Sequence, residues 1–245
     1  MASSTPRRWD PASGLDGVDR ALVVIAHPDD AEFGAAGTIA GWTAAGVDVR
    51  YLVMTDGASG SQDPDMNRKL LAANRHLEQT AACKLLGVTD LEWGGYLDGW
   101  LEPSLEARRI VAAAIRRHRP QIVLTLDPEM RITPRGSINH PDHRAVGDLV
   151  MHCINPAAST RLWDPTLLEE GLEPWDIREL WLMGFGAGPD RVDVTETFET
   201  KIAALRCHVS QLGERDPEPW LREMAARAGA EVAVDLAETF RILRW

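Results

Sequence analysis

The chain has 245 residues, of which 44% are hydrophobic and 26% charged, and its formal net charge is -11. A chain of this length can bury a substantial core as one α/β domain. The acidic balance and the lack of a basic run argue against nucleic acid or an anionic membrane as the partner. No apolar stretch approaches the ~20 residues that a membrane-spanning helix needs.

Cysteine usage and the N-terminus bear on the cellular compartment. Cys83, Cys153 and Cys207 are far apart and lack C-x-x-C spacing, which predicts reduced, mostly buried thiols in a cytoplasmic protein. No apolar segment follows the paired arginines near the N-terminus, so a secretory or twin-arginine signal is not expected. Residues 1–19 are expected to form a loose N-terminal arm, and residues 20–245 a single domain.

Apolar runs alternate with helical patterns through the first part of the chain. This alternation predicts an α/β fold with a Rossmann-like, mostly parallel sheet flanked by helices. The active site of such a sheet is expected at the carboxyl ends of its strands. In chain order we predict strand 21–26, helix 31–45, strand 49–54, helix 64–86, strand 91–93, helix 104–118, strand 121–126 and a helix that starts at Pro141.

The second half of the chain is less regular in pattern. Segment 156–176 is expected to be irregular, and segment 232–245 favours neither helix nor strand. We predict strands at 180–185 and 191–194, and helices at 197–210 and 219–228. The expected buried stripe of the earlier helix 64–86 consists of Leu70, Leu71, Leu77, Leu85 and Leu86.

A histidine and two aspartates, His27-Pro28-Asp29-Asp30, directly follow the first predicted strand. The ligand crevice of an open α/β sheet lies beyond the carboxyl ends of such strands. An imidazole and two carboxylates on a backbone stiffened by proline are a start on a zinc or iron site. The alternative is a turn histidine followed by an Asp-Asp pair that caps a helix.

A second cluster, Asn139-His140-Pro141-Asp142-His143, follows the strand predicted at 121–126. His140 and His143 are three residues apart at a helix start and so lie near one face. One can coordinate a metal while the other points at substrate, and three protein ligands plus an open position suit catalytic zinc. Together the two clusters fit metal-assisted hydrolysis of an amide or ester. The alternative is a helix cap with surface histidines.

Nucleotide binding is disfavoured. Segment 34–37 carries two glycines, but G-x-G-x-x-G is absent and Asp29-Asp30 would repel a pyrophosphate. There is no G-x-x-x-x-G-K-[ST] motif either.

The two clusters occur in order with several other short motifs, and the set resembles the PIG-L/LmbE family of metal-dependent N-deacetylases over about residues 20 to 212. The resemblance implies a zinc-dependent hydrolase that removes an N-acetyl group from an N-acetylglucosamine-type conjugate and releases acetate. The implied partner is a small-molecule amino-sugar conjugate, and a homo-oligomer stays open. The further matching motifs are Gly37-Thr38-Ile39-Ala40, Thr55-Asp56-Gly57, Arg75-x-x-Glu78 and Lys201…His208-x-Ser210-Gln211.

The resemblance also implies a metal site and a general base. His27, Asp30 and His143 would hold Zn²⁺, or another divalent metal such as Fe²⁺. Asp29 would be the general base that activates the attacking water.

Four further residues receive roles from the same resemblance. His140 would stabilise the tetrahedral oxyanion or protonate the leaving amine, and Asp142 would orient an imidazole. Arg75 and His208 would bind substrate. The alternatives are a helix-surface ion pair between Arg75 and Glu78, and for His208 a satisfied helix histidine.

Two departures from the family pattern concern the substrate more than the chemistry. Ala31 precedes Glu32 where the family often has Glu directly after Asp-Asp, and Ala58-Ser59 follow the Thr-x-Gly turn where acidic residues are common. Trp100 is the aromatic residue best placed for sugar stacking. The alternative functions are an amidase that cleaves a thiol conjugate of the sugar, and a catalytically silent sugar- or metal-binding module.

Overall fold

The computed structural model describes residues 7–9, 15–133, 136–184 and 188–245. Within these residues the chain forms one eight-stranded sheet, nine α-helices and a π-helical turn at Cys153–Ala157. The strands are β1 (Arg7–Trp9), β2 (Arg20–Ile25), β3 (Asp48–Thr55), β4 (Asp90–Tyr96), β5 (Ile122–Leu126), β6 (Glu179–Met183), β7 (Asp190–Asp193) and β8 (Ala237–Arg244). The helices are α1 (Asp30–Gly34), α2 (Ala36–Ala44), α3 (Arg68–Leu86), α4 (Leu105–His118), α5 (Pro141–His152), α6 (Pro165–Glu169), α7 (Phe198–Leu205), α8 (Val209–Leu212) and α9 (Glu218–Ala230).

The sheet has the strand order β1-β7-β8-β6-β5-β2-β3-β4. Five of the seven neighbouring pairs are parallel, and β8 is antiparallel to both of its neighbours. The predicted Rossmann-like, mostly parallel sheet is therefore confirmed.

The strand order reverses between β2 and β5, which are hydrogen-bonded neighbours at the centre of the sheet. From β2 the chain proceeds outward through β3 and β4, and from β5 in the opposite direction to β6. At such a switch point the segments that leave the two strands diverge and open a crevice. The two motif clusters follow these two strands and so meet in that crevice.

The two central strands are apolar on both faces because helices cover both sides of the sheet. All five residues of β5 are buried, as are the last five of β2. Helix α5 packs closely on β5 at Gly147, where a Cβ would lie 2.5 Å from the carbonyl oxygen of Leu126. This close approach brings the first turn of α5 to the crevice.

The helix predicted at 64–86 is confirmed as a helix, but of its predicted buried stripe only Leu71 and Leu86 are buried. Leu70, Leu77 and Leu85 are 48%, 72% and 50% exposed. The residues of α3 that face inward include polar ones, which an apolar periodicity cannot identify. The buried residues of α3 are Leu71, Arg75, Gln79, Ala82, Cys83 and Leu86.

Several other boundaries differ from the prediction. Helix 31–45 is two helices, because Ala35 at φ -145° interrupts it. Arg7–Trp9, expected in a loose arm, pairs with β7. Segment 232–245 contains β8, and helix 197–210 divides into α7 and α8. Phe185, the predicted end of a strand, lies outside the described residues.

The remaining sequence expectations hold in part. Cys83 and Cys153 are buried, whereas Cys207 is half-buried. Segment 156–176 is mostly irregular but contains α6. No helix within the described residues has the length and hydropathy that a bilayer crossing requires.

Candidate active site

The two motif clusters line one cavity of about 830 Å³ at the carboxyl edge of the sheet. His27 follows β2, and Asp30 begins α1. His140 is the N-cap of α5, and His143 lies in the first turn of that helix. The fold therefore places side chains over one hundred residues apart in sequence within a few ångströms of each other.

Three of these side chains converge on one point. His143 Nε2 lies 3.0 Å from Asp30 Oδ1 and 3.2 Å from His27 Nδ1, and His27 Nδ1 lies 3.7 Å from Asp30 Oδ2. Zinc ligands at ~2.0–2.1 Å in tetrahedral geometry are about 3.3 Å apart. The donor set and its spacing thus fit a divalent metal ion.

Each of the two histidines makes a hydrogen bond through the ring nitrogen that faces away from the metal site. The nitrogen that faces the site is left to bind a metal. His27 Nε2 lies 3.2 Å from Asp142 Oδ2, and His143 Nδ1 lies 3.0 Å from Asn139 Oδ1. Each of these nitrogens donates its proton to the oxygen behind it, so His27 Nδ1 and His143 Nε2 keep their lone pairs. Asp142 therefore contacts the His27 imidazole, as the orienting role implied by the resemblance requires.

The charges of this group keep Asp30 ionised but also hold a proton on His27. Burial raises the pKa of Asp30, but the imidazoles of His143 and His27 outweigh burial and hold that pKa well below its ordinary value. Burial lowers the pKa of His27, but its bonds to Asp142, Asp30 and Asp98 leave the pKa well above the ordinary value. A metal ion must displace the proton that these carboxylates hold on His27.

A second group of possible ligands consists of His27, Asp98, His140 and Asp142. It shares His27 but would use the opposite ring nitrogen. Asp142 already accepts backbone N–H groups of Gly99 at 2.7 Å and Leu101 at 3.3 Å, and Asp98 accepts the Ser59 N–H at 2.8 Å. Because these carboxylates already accept hydrogen bonds from the backbone, they are better suited to orienting the histidines than to binding a metal. The group that contains His143 is therefore the better metal site.

Asp29 has an unusual backbone conformation, with φ 90° and ψ -21°. A non-glycine residue at positive φ carries strain and persists only when its surroundings fix it. Two side chains of α3, one helical turn apart, supply that restraint. Gln79 Oε1 accepts the Asp29 N–H at 3.1 Å, and Arg75 donates to the Pro28 carbonyl at 2.5 Å and to Asp29 Oδ2 at 2.9 Å.

Arg75 also donates to the Gly57 carbonyl at 2.5 Å. Gly57 has φ 59°, and a Cβ there would lie 2.5 Å from Arg75 Nη1, so both the turn and the close approach require glycine. The surface ion pair with Glu78 does not form, because Glu78 accepts from Ser210 and Arg75 is buried. Arg75 lines the cavity, yet three protein oxygens already occupy its guanidinium.

The Asp29 carboxyl has the acidity of a base that works near neutral pH. Burial raises its pKa to about 6, although the Arg75 guanidinium opposes the shift. A base is most effective when its pKa lies near the working pH.

His140 is held so that one ring nitrogen can donate into the cavity. Its Nδ1 accepts the Asp142 N–H at 3.2 Å, so in the neutral ring the proton is on Nε2. Burial lowers the pKa of His140, and the proximity of His27 lowers it further. His140 is therefore available as a neutral Nε2–H donor, and its ring is also the predicted helix cap.

His208, which the resemblance predicts to bind substrate, is not among the residues that line the cavity. Its side chain is fully buried, and its Nε2 is 3.4 Å from the equally buried Glu32 Oε2. Glu32 Oε1 in turn accepts from Gln79 Nε2 at 3.0 Å. His208 therefore belongs to a layer beneath Asp29. Trp100, the tryptophan favoured for sugar stacking, is exposed and is not among the lining residues, whereas Trp220 lines the cavity.

Sequence reasoning missed three supporting residues. Asp98 Oδ1 lies 3.2 Å from His27 Nε2 and 3.7 Å from His140 Nε2. Gln79 fixes the Asp29 backbone, and Asn139 sets the His143 tautomer. Sequence reasoning had a signal for Asn139, which is the first residue of the second cluster but received no role, and a weaker one for Asp98, which follows β4.

A set of metal ligands lies in the crevice at the switch point, with a carboxylate beside it. This arrangement is typical of a hydrolytic enzyme with a site for a divalent metal. The chain belongs to the PIG-L family: the family described as GlcNAc-PI de-N-acetylase matches residues 22–154. The predicted family is confirmed, and the chain is a hydrolytic N-deacetylase.

Two relatives and one solved structure illustrate the similarity. Diacetylchitobiose deacetylase of Thermococcus kodakarensis is 32% identical over 229 residues, covering 92% of this chain and 84% of that protein. The 1D-myo-inositol 2-acetamido-2-deoxy-alpha-D-glucopyranoside deacetylase of Mycobacterium sp. (strain JLS) is 29% identical, covering 80% and 75%. The N,N'-diacetylchitobiose deacetylase structure from Pyrococcus horikoshii is 32% identical with a TM-score of 0.86, covering 94% and 85%.

Proposed function

We propose that this enzyme uses zinc to remove the N-acetyl group from an N-acetylglucosamine-type conjugate, releasing acetate and a free amine. The convergence of His27 Nδ1, Asp30 Oδ1 and His143 Nε2 at metal-ligand spacing carries the proposal. The family and the amino-sugar deacetylases among its relatives support the substrate class.

When bound, zinc would act as a Lewis acid that polarises the amide carbonyl and makes a water more acidic. Asp29 would take the proton of the attacking water, since its raised pKa and its place beside Asp30 suit a base. Arg75 and Gln79 would hold the carboxylate in place throughout.

His140 would donate a hydrogen bond from Nε2–H to the oxygen that becomes negative as water adds to the carbonyl carbon. The C–N bond then breaks, and the nitrogen leaves as the free amine with the proton that Asp29 took from the water. Asp142 and Asp98 accept from the His27 ring and keep it oriented during these steps.

Acetate release from several conjugates tests the proposal. The panel would contain N-acetylglucosamine, diacetylchitobiose and the inositol and malate glycosides of N-acetylglucosamine, each with chelator and after zinc addition. We expect chelator-sensitive release that zinc restores, and far less release by Asp29→Asn, because that variant lacks the base. Hydrolysis unaffected by removal of all metal would contradict the proposal. The cytoplasmic location expected from the sequence stays a prediction, and a homo-oligomer stays open.

A further inference from the structure

The cavity extends well beyond the metal-ligand group. From His27 and His143 it continues past Met183 at the end of β6 to Ala237 at the start of β8, where α9 forms its outer wall. At about 830 Å³ it lies in the upper part of the range of small-molecule sites, ~300–1,000 Å³. A single N-acetylhexosamine would occupy only part of this space.

The wall formed by α9 is apolar. Trp220, Met224 and Ala228 are spaced four residues apart and so lie on one helical face, beside Leu221 and Ala225. Trp220 and Met224 are half-buried, as expected of side chains that border an open space.

The side chain that adjoins this wall is also apolar. Phe33 of α1 stacks on Trp220 with ring centroids 6.0 Å apart and planes at 25°. Phe33 comes three residues after the metal ligand Asp30, so it connects the metal end of the cavity to the wall. Met183 and Phe198 complete the apolar lining.

The charged residues near this wall pair with protein partners, most tightly where both side chains are buried. Lys201 Nζ is 2.6 Å from Glu238 Oε1, and both side chains are 4% exposed. Arg191 pairs with Glu231 at 2.8 Å. Arg227 pairs with Glu223 on the surface of α9. This end of the cavity therefore suits an uncharged group better than a phosphate or carboxylate.

We propose that the α9 wall, meaning Trp220, Leu221, Met224, Ala225 and Ala228 with the adjoining Phe33, binds an apolar alkyl or aryl substituent of the amino-sugar substrate. The proposal rests on the function proposed above. Burial of such a substituent would remove apolar surface of both ligand and wall from water. The substituent can be attached through the anomeric oxygen or through the amide as a longer acyl chain.

Matched substrate pairs test this specificity and distinguish the two attachments. The first pair is methyl and octyl N-acetylglucosaminide, and the second is methyl N-acetyl- and N-octanoylglucosaminide, all below micelle-forming concentrations. We expect at least about tenfold higher kcat/KM for the octyl member of one pair, mostly through KM, because single methylenes in apolar pockets change kcat/KM ~10-fold or more. The preferred pair identifies the attachment.

Two glutamate variants of α9 serve as test and control. Met224→Glu introduces a charge into the wall and should abolish the octyl preference. Ala226→Glu introduces the same charge on the exposed side of the helix and should preserve it. Equal kcat/KM within both pairs, or an octyl preference that survives Met224→Glu, would overturn the proposal.

A binding measurement separates failure of the wall from failure of the chemistry. Calorimetry with metal-loaded Asp29→Asn should show at least about tenfold tighter binding of the preferred octyl compound than of its methyl partner. If hydrolysis is absent but this difference persists, the proposed reaction is wrong and the apolar wall stands. If acetate is released but the octyl and methyl compounds bind equally, the reaction stands and the wall proposal is wrong.

Discussion

Gln79→Leu should inactivate the enzyme without direct contact between residue 79 and substrate. The substitution keeps the side-chain size but removes the acceptor for the Asp29 N–H and the donor to Glu32 Oε1. Both of these groups are buried, and each would lose its partner.

The size of the effect follows from these two lost bonds. A buried polar group without a partner costs roughly 1–3 kcal/mol, so the free energy of unfolding should fall by about 3 kcal/mol after relaxation. The positive φ of Asp29 carries strain of order 1–3 kcal/mol, which the Gln79 bond helps to maintain. Release of that strain would move the carboxylate, and a displacement of ~1 Å can reduce the rate about 100-fold.

The assay compares kcat, KM and bound metal for Gln79→Leu, with Gln62→Leu as a control on an exposed loop. We expect kcat to fall about 100-fold with the metal content preserved. In an Asp29→Asn background the same change should have little further effect on kcat, because both act through one carboxylate. Folded Gln79→Leu with kcat within about twofold of the parent enzyme would refute the positioning role.

Three further predictions concern the base and the metal site. Asp29→Asn, in which asparagine tolerates the positive φ, should keep the metal but reduce kcat about 10²–10⁴-fold. Near-normal turnover would show that another residue is the general base. His143→Ala should weaken zinc binding at least about 100-fold in a competition titration, whereas unchanged affinity would exclude it as a ligand. The raised pKa of His27 means that the metal competes with a proton, so apparent zinc affinity should rise with pH until His27 has lost that proton, above the pH at which an ordinary histidine titrates. Asp98→Asn should flatten that pH dependence, since it removes one carboxylate that favours the protonated ring.

The local sequence pattern was sufficient to predict the positions of the metal ligands, because these residues follow the ends of strands. His27 and Asp30 follow one central strand and His143 the helix after another, so the alternation of strands and helices predicted that they meet. The residues that hold the site side chains in place by hydrogen bonds were harder to predict from the sequence. Asp98 and Gln79 approach the site from β4 and α3, and their contacts depend on the packing of both elements.

The error in α3 has the same physical origin. Leu77 is 72% exposed, whereas Arg75 and Gln79 are buried because they bond to the strained loop around Asp29. Hydrophobic periodicity assumes that polar residues face water, and it fails where a buried polar network supports a site. The antiparallel strand β8 was missed for a different reason, since its pairing with β6 and β7 involves partners distant in sequence.

The central claim is that the metal lies between His27, Asp30 and His143. Crystals loaded with zinc and measured at the zinc absorption edge would locate the ion by anomalous scattering. The predicted result is one strong peak about 2.0–2.2 Å from His27 Nδ1, Asp30 Oδ1 and His143 Nε2. A peak instead on the other face of the His27 ring, among Asp98, His140 and Asp142, would contradict the account.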